Sequence, residues 1–336
     1  MNKHFLKILA ITFLFWLPTR GLSPVRAETL EEEDPEMLAR ANAAYLQSQI
    51  SQASPYRGWD YLTARLKTDG VPEEEIAAVF KNEKMPFFSY VPFSLKPRDS
   101  SRGYGLFTSM PRIKTAWEFL KKNKEAFISA EKIFKVNRHL IAAIILVETN
   151  CGQFTGNHLV VERLARVASA AAPVNVQFNY ETLHQRDKTI TLEQVKERAA
   201  FLEQTFYPEM LALLEMARRG QADLFELKGS YAGAFGIPQF LPSSYLKYAV
   251  DGDKDGIISL FSPADAIWSA AHYLAGYGWK DDASIDEKKK VLWGYNRSHA
   301  YAEAVLKVSI LLRQKEEQEK ESTTKPSLTI SEPDSF

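Results

Sequence analysis

The sequence predicts a mainly α fold with a few short strands (α+β), in which helices carry the core. Three observations predict it. Between Pro111 and Phe134 the apolar residues Ile113, Ala116, Trp117, Leu120, Phe127, Ala130 and Phe134 fall near a 3.6-residue period, with Lys121, Lys122 and Lys124 outside the stripe. Helix-start signals stand before later apolar runs: Asn137 before the run that includes IAAIILVE, and Ser262-Pro263 before a run to about Ala275. Between these runs, GSYAGAFGIPQFLPSS is dense in small residues and reads as turns.

Length and composition set the frame. The chain has 336 residues, 45% hydrophobic and 25% charged, enough for a large core in one compact unit of two or three subdomains. A net charge of zero leaves no nucleic-acid footprint. Residues 1–27 have the layout of a secretory signal peptide: Lys3 and Lys7, an apolar run from Ile8 to Leu17, then Val25-Arg26-Ala27 with small residues at −3 and −1. Their removal takes four basic residues and no acids, leaving 38 basic against 42 acidic residues and a soluble exported protein, periplasmic or secreted. Near the cleavage site there is no cysteine to carry a lipid anchor.

The remaining elements follow in order. Residues 28–110 form a helical and extended lead-in, with FFSYVPFSLKPRDSS reading as extended chain. Residues 111–314 form the main helical region. Within it, 169–192 reads as an irregular loop insertion, and Val195–Arg219 as a helix interrupted near Pro208 and closed by Gly220. Ser298 can cap a last helix to about Gln314, and the charged, then Ser/Thr/Pro-rich residues 315–336 read as a disordered tail. Cys151 is the single cysteine, so there is no intramolecular disulfide and no cysteine metal site, and it reads as a small apolar filler rather than a nucleophile.

DGDKDGIISLFS at 251–262 fits the first half of an EF-hand-like calcium loop. Asp251, Asp253 and Asp255 occupy positions 1, 3 and 5, Gly256 the turn, and the Ile257 carbonyl position 7. Three carboxylates this close repel one another unless a cation joins them. Position 12 is Ser262 in place of the bidentate Glu. Asp265 can supply the missing carboxylate, or serve only the start of the helix that Ser262-Pro263 opens. A single loop of this kind suits a structural Ca2+ rather than a sensor.

Glu148 ends an apolar helix, with Ile144 and Ile145 one turn back on the same face. An apolar setting and a helix C-terminus both disfavour the anion and raise a carboxyl pKa, as an acid that protonates a glycosidic oxygen requires. On these grounds alone a surface carboxylate remains the simpler reading.

The blocks ILVETNCGQFTGNH, KGSYAGAFGIPQFLPSSYLKYAVDGDKDG and LWGYNRSHAYAEAVL, in this order and preceded by GVPEEEIAAVF, resemble the lytic murein transglycosylase B family (glycoside hydrolase family 103) from about Gly70 to Leu312. The resemblance implies a lysozyme-like helical core with an additional helical subdomain. It implies Glu148 as the single catalytic acid/base, and Ser230, Gln239, Tyr295, Asn296 and Tyr301 lining a sugar site. It also implies a calcium loop at 251–265 that uses Asp265. Gly229, Gly233 and Gly236 would let backbone approach a polysaccharide closely. The implied reaction cleaves the β-1,4 bond between N-acetylmuramic acid and N-acetylglucosamine of peptidoglycan and leaves 1,6-anhydro ends. The implied protein is a monomer that binds glycan strands, with other cell-wall enzymes as further partners, and has no catalytic cofactor. The chain departs from the family at Cys151, where bulkier residues are common, and in the longer 169–192 segment. Two other readings stand beside this one: a hydrolytic muramidase with a second acid such as Glu162, and a non-catalytic glycan-binding wall protein.

Overall fold

The computed structural model describes residues 54–95 and 104–324. The signal peptide, residues 28–53 of the lead-in and residues 325–336 of the tail lie outside the described residues. Twelve α-helices lie wholly among the described residues: α1 (Asp60–Thr68), α2 (Glu73–Phe80), α3 (Met110–Lys122), α4 (Lys124–Phe134), α5 (Arg138–Thr149), α6 (Val160–Val167), α7 (Pro173–Arg186), α8 (Leu192–Arg218), α9 (Pro242–Tyr248), α10 (Pro263–Gly276), α11 (Ile285–Tyr295) and α12 (His299–Thr324). Two strands, β1 (His158–Leu159) and β2 (Lys228–Gly229), pair antiparallel with His158 opposite Gly229.

Helix α5 is the axis of the fold. Asn137 Oδ1 accepts the His139 N–H at 2.9 Å and starts it, and every residue from His139 to Thr149 is buried. A helix apolar on all sides needs neighbours all round, and α5 has α3, α4, α10 and α12 against it. The predicted Pro111–Phe134 periodicity divides at Asn123 into α3 and α4, which bury Trp117 and Leu120, and Phe127 and Ala130.

The structure departs from the sequence expectations in three places. Helix α8 runs unbroken through Pro208, started by a Thr191–Gln194 capping box, so the missing N–H costs one helical bond and no interruption. The 169–192 segment is not a loop excursion, since it contains α7. The buried face of that helix includes amides: Asn175 Oδ1 accepts the Val91 N–H at 2.8 Å, and Asn179 takes the Phe93 N–H at 3.0 Å while giving an N–H to Val91 O at 3.0 Å. Arg166 donates to Tyr90 O and Arg198 Nε to Ser94 O, so the extended chain before Leu95 meets side chains where a strand would meet another strand. Helix α12 continues to Thr324, ten residues past the predicted end. Its last turns are tied down by Arg138 on Glu316 at 2.8 Å and by Trp117 Nε1 donating to Glu319 at 2.5 Å.

Candidate active site

The last turn of α5 carries Glu148, which is 3% exposed. The first turn of α12 carries Tyr301, fully buried, whose hydroxyl donates to Glu148 Oε1 at 2.7 Å. Glu148 Oε2 has no hydrogen-bond partner among the described residues. Burial pushes the carboxyl pKa well above its ordinary value, and the Tyr301 hydrogen bond, which favours the anion, opposes this only in part. Burial therefore favours the protonated carboxyl, with one oxygen held by Tyr301 and the other buried without a hydrogen-bond partner among the described residues.

Behind this pair stands a column of tyrosines. Tyr295 stacks on Tyr301 with centroids 6.3 Å apart, and Tyr104 meets Tyr301 edge-on at 6.0 Å. No sequence motif singled out Tyr104, because a lone Tyr in an extended lead-in carries no periodic signal. Tyr295 is buried at the end of α11 and spends its hydroxyl on Pro238 O at 2.8 Å.

The chain after Glu148 turns sharply. Asn150, Cys151 and Gly152 are all left-handed, with φ of 50°, 61° and 83°. For the first two this costs of order 1–2 kcal/mol each. Thr149 Oγ1 bridges the turn to the small-residue segment: it donates to Ile237 O at 2.9 Å and accepts the Gly152 N–H at 3.0 Å. The Cys151 thiol is pushed up to about 12 by burial, which disfavours the thiolate a nucleophile needs.

The small-residue segment is a tight floor. Ser230 N–H donates to Ala234 O at 2.7 Å and Ala234 N–H to Ser230 Oγ at 3.1 Å, while Phe235 bridges both Gly229 and Phe240. Its glycines make room for protein rather than for glycan. A Cβ on Gly229 would stand 2.2 Å from Ala234 O, and one on Gly236 would stand 2.4 Å from Leu260 Cβ. Gln239, 2% exposed and left-handed with φ of 53°, gives its amide N–H groups to Gly236 O at 2.7 Å and Thr155 O at 3.1 Å. Gln239 and Tyr295 thus turn their donors toward the protein backbone. Asn296 is buried next to Tyr295, and Ser230 is half-buried at the floor. Glu162, the alternative second acid, stands 3.5 Å from Arg166 and 3.9 Å from Arg163.

In the acidic loop, carboxylate oxygens of Asp251, Asp253 and Asp265 lie within 4.8 Å of one another. Asp265 is buried; its Oδ1 accepts the Gly252 N–H and its Oδ2 the Ser259 N–H, both at 2.7 Å. Burial raises its pKa, and Asp253 and Asp251 add to the rise. An all-oxygen set of converging acids fits a hard divalent cation. Asp255, predicted as a ligand, is not in this cluster; its carboxylate accepts the Ile257 N–H at 2.8 Å.

A sequence model described as Transglycosylase SLT domain matches residues 55–288. The chain is 34% identical over 191 residues to the membrane-bound lytic murein transglycosylase B of Escherichia coli strain K12, an alignment that covers 55% of this chain and 45% of that relative. The fold is similar to that of catenated lytic transglycosylase SltB1 from Pseudomonas aeruginosa, with a TM-score of 0.55, 24% identity, and coverage of 78% of this chain and 98% of that one. It is also similar to SltB3 from the same organism in complex with NAG-anhNAM-pentapeptide, with a TM-score of 0.56, 19% identity, and coverage of 78% and 80%. With well over half of its length matched, the chain belongs to the Transglycosylase SLT domain family.

Proposed function

We propose that the protein is an exported peptidoglycan lytic transglycosylase that cleaves the β-1,4 bond between N-acetylmuramic acid and N-acetylglucosamine. The observation that carries the reading is Glu148: a buried carboxyl whose pKa burial raises, with one oxygen on Tyr301 and the other without a hydrogen-bond partner among the described residues. The Oε2 proton goes to the bridging oxygen, the C1–O bond breaks, and positive charge develops at C1 of the muramic residue. The C6 hydroxyl of that residue then bonds to C1 while Glu148 takes its proton, which closes the 1,6-anhydro ring and restores the acid. Tyr301 steadies the carboxylate between the two proton transfers.

A hydrolase would need a second acid, either 5–5.5 Å from the first as a nucleophile or farther off as a base for water. Glu162 is held by two arginines. This supports the one-acid route. The complex of SltB3 with a NAG-anhNAM-pentapeptide supports a glycan of this class as the ligand.

Asp251, Asp253 and Asp265 would hold a Ca2+ that fixes the loop before α10 and takes no part in proton transfer. The signal-peptide layout of residues 1–27 supports export, and the glycan strand is the partner. Mass spectrometry of digested peptidoglycan tests the reaction: the anhydro ends predicted here weigh one water less than the reducing ends a hydrolase would leave.

A further inference from the structure

We propose that Thr149 is a positioning residue that registers the Glu148 carboxyl against the floor at Gly236–Gln239. The inference rests on the transglycosylase reading of the site and adds to it a residue that touches no substrate. A carboxyl at the end of a helix inherits the freedom of that end, and here the chain beyond it is left-handed at three successive residues, two of them not glycine. Such a turn persists only where its surroundings determine it. Thr149 is fully buried, and its single hydroxyl supplies two of those determinants. It accepts the Gly152 N–H, which closes the left-handed turn, and donates to Ile237 O, which ties the turn to the floor. Two neighbouring bonds complete the frame. Tyr295 holds Pro238 O, and Gln239 reaches from the floor to Thr155 O on the far side of the same turn. Tyr301, which grips the acid, stacks on Tyr295, which grips the floor, so the carboxyl is referenced to Gly236–Gln239 from both sides.

Thr149→Val keeps the shape and removes the hydroxyl. It leaves the Gly152 N–H and Ile237 O without that partner and loosens the wall that keeps the acid dry. Thr149→Ser keeps the hydroxyl and loses only a methyl. On purified peptidoglycan, Thr149→Val is expected to lose about 10- to 100-fold in kcat with KM within about threefold of wild type, since a hydrogen bond made only for positioning acts on the reacting geometry. Its alkaline activity limb moves to lower pH as water reaches Glu148, and Thr149→Ser restores most of kcat and the limb. Thr149→Ala serves the same comparison if the valine variant does not fold. A second readout needs no turnover: the pH dependence of unfolding for each protein against its own Glu148→Gln form reports the titration of the acid. That dependence shrinks in Thr149→Val. Wild-type kcat and an unmoved titration in Thr149→Val, or equal losses in the valine and serine variants, overturn the inference. Wild-type protein that releases no product overturns the enzymatic reading instead, and the unfolding comparison still decides the role of Thr149.

Discussion

The hydroxyl of Tyr301 lies 2.7 Å from Glu148 Oε1, joining the first turn of α12 to the last turn of α5, and it favours the ionised form of an acid whose pKa burial raises. Tyr301→Phe removes the one donor on this carboxyl among the described residues. A hydrogen bond to a charged group is worth about 1.5–3 kcal/mol, so kcat is expected to fall about 10- to 100-fold. Without that donor the acid holds its proton more tightly, and the alkaline limb of the pH–rate profile moves up. An unchanged limb would remove Tyr301 from the proton transfers.

A second buried acid gives a stability prediction. Glu209 on α8 accepts the Ser243 N–H at 2.9 Å and the Ser243 hydroxyl at 2.7 Å at the start of α9, and burial raises its pKa to about 7. The folded protein keeps this proton while the unfolded chain releases it from the ordinary value of 4.5 upward. Stability therefore falls as pH rises through that window, by about 3 kcal/mol at 1.36 kcal/mol per pH unit, and then levels. Glu209→Gln lacks this slope. Denaturant unfolding at about pH 5 and about pH 8 should show the difference between the two proteins changing by roughly that amount in favour of the variant.

The acidic loop predicts metal-dependent stability. Ca2+ at about a hundredfold over its Kd should stabilise the protein by about 2.7 kcal/mol, a chelator should remove the effect, and Asp265→Asn should weaken it. Thermal unfolding with and without Ca2+ makes the measurement; a melting temperature indifferent to Ca2+ contradicts the proposed site.

The extended chain before Leu95 depends on the asparagines of α7. Asn179→Ala strands the Phe93 N–H and weakens the hold on Val91 O, and buried orphans cost about 1–3 kcal/mol each. Equilibrium unfolding of Asn179→Ala should show a loss of about 3 kcal/mol, and a loss under about 0.5 kcal/mol would mean that the chain is held elsewhere.

These cases show where the sequence could be read and where it could not. The α3–α4 stripe, the Asn137 cap of α5 and the start of α10 were legible because apolar periodicity and capping chemistry are local. Helix α7 was hidden because part of its buried face is amide, made apolar in effect only by the backbone it pairs with. The end of α12 was hidden because its anchors, Arg138 and Trp117, come from elsewhere in the chain. Glu148 could be singled out by an apolar neighbourhood and by resemblance. That Gln239 and Tyr295 donate to backbone carbonyls of the floor and of the turn could not, since those carbonyls come within reach only once the chain is folded.

The central claim is that Glu148 alone supplies the acid and then the base. Its most direct test digests purified peptidoglycan with the wild-type protein and with Glu148→Gln, and weighs the released fragments. Wild type should release fragments with 1,6-anhydro ends, and the variant, correctly folded and still binding the glycan, should release none. Fragments with reducing ends from wild type, or equal release by Glu148→Gln, would contradict the account.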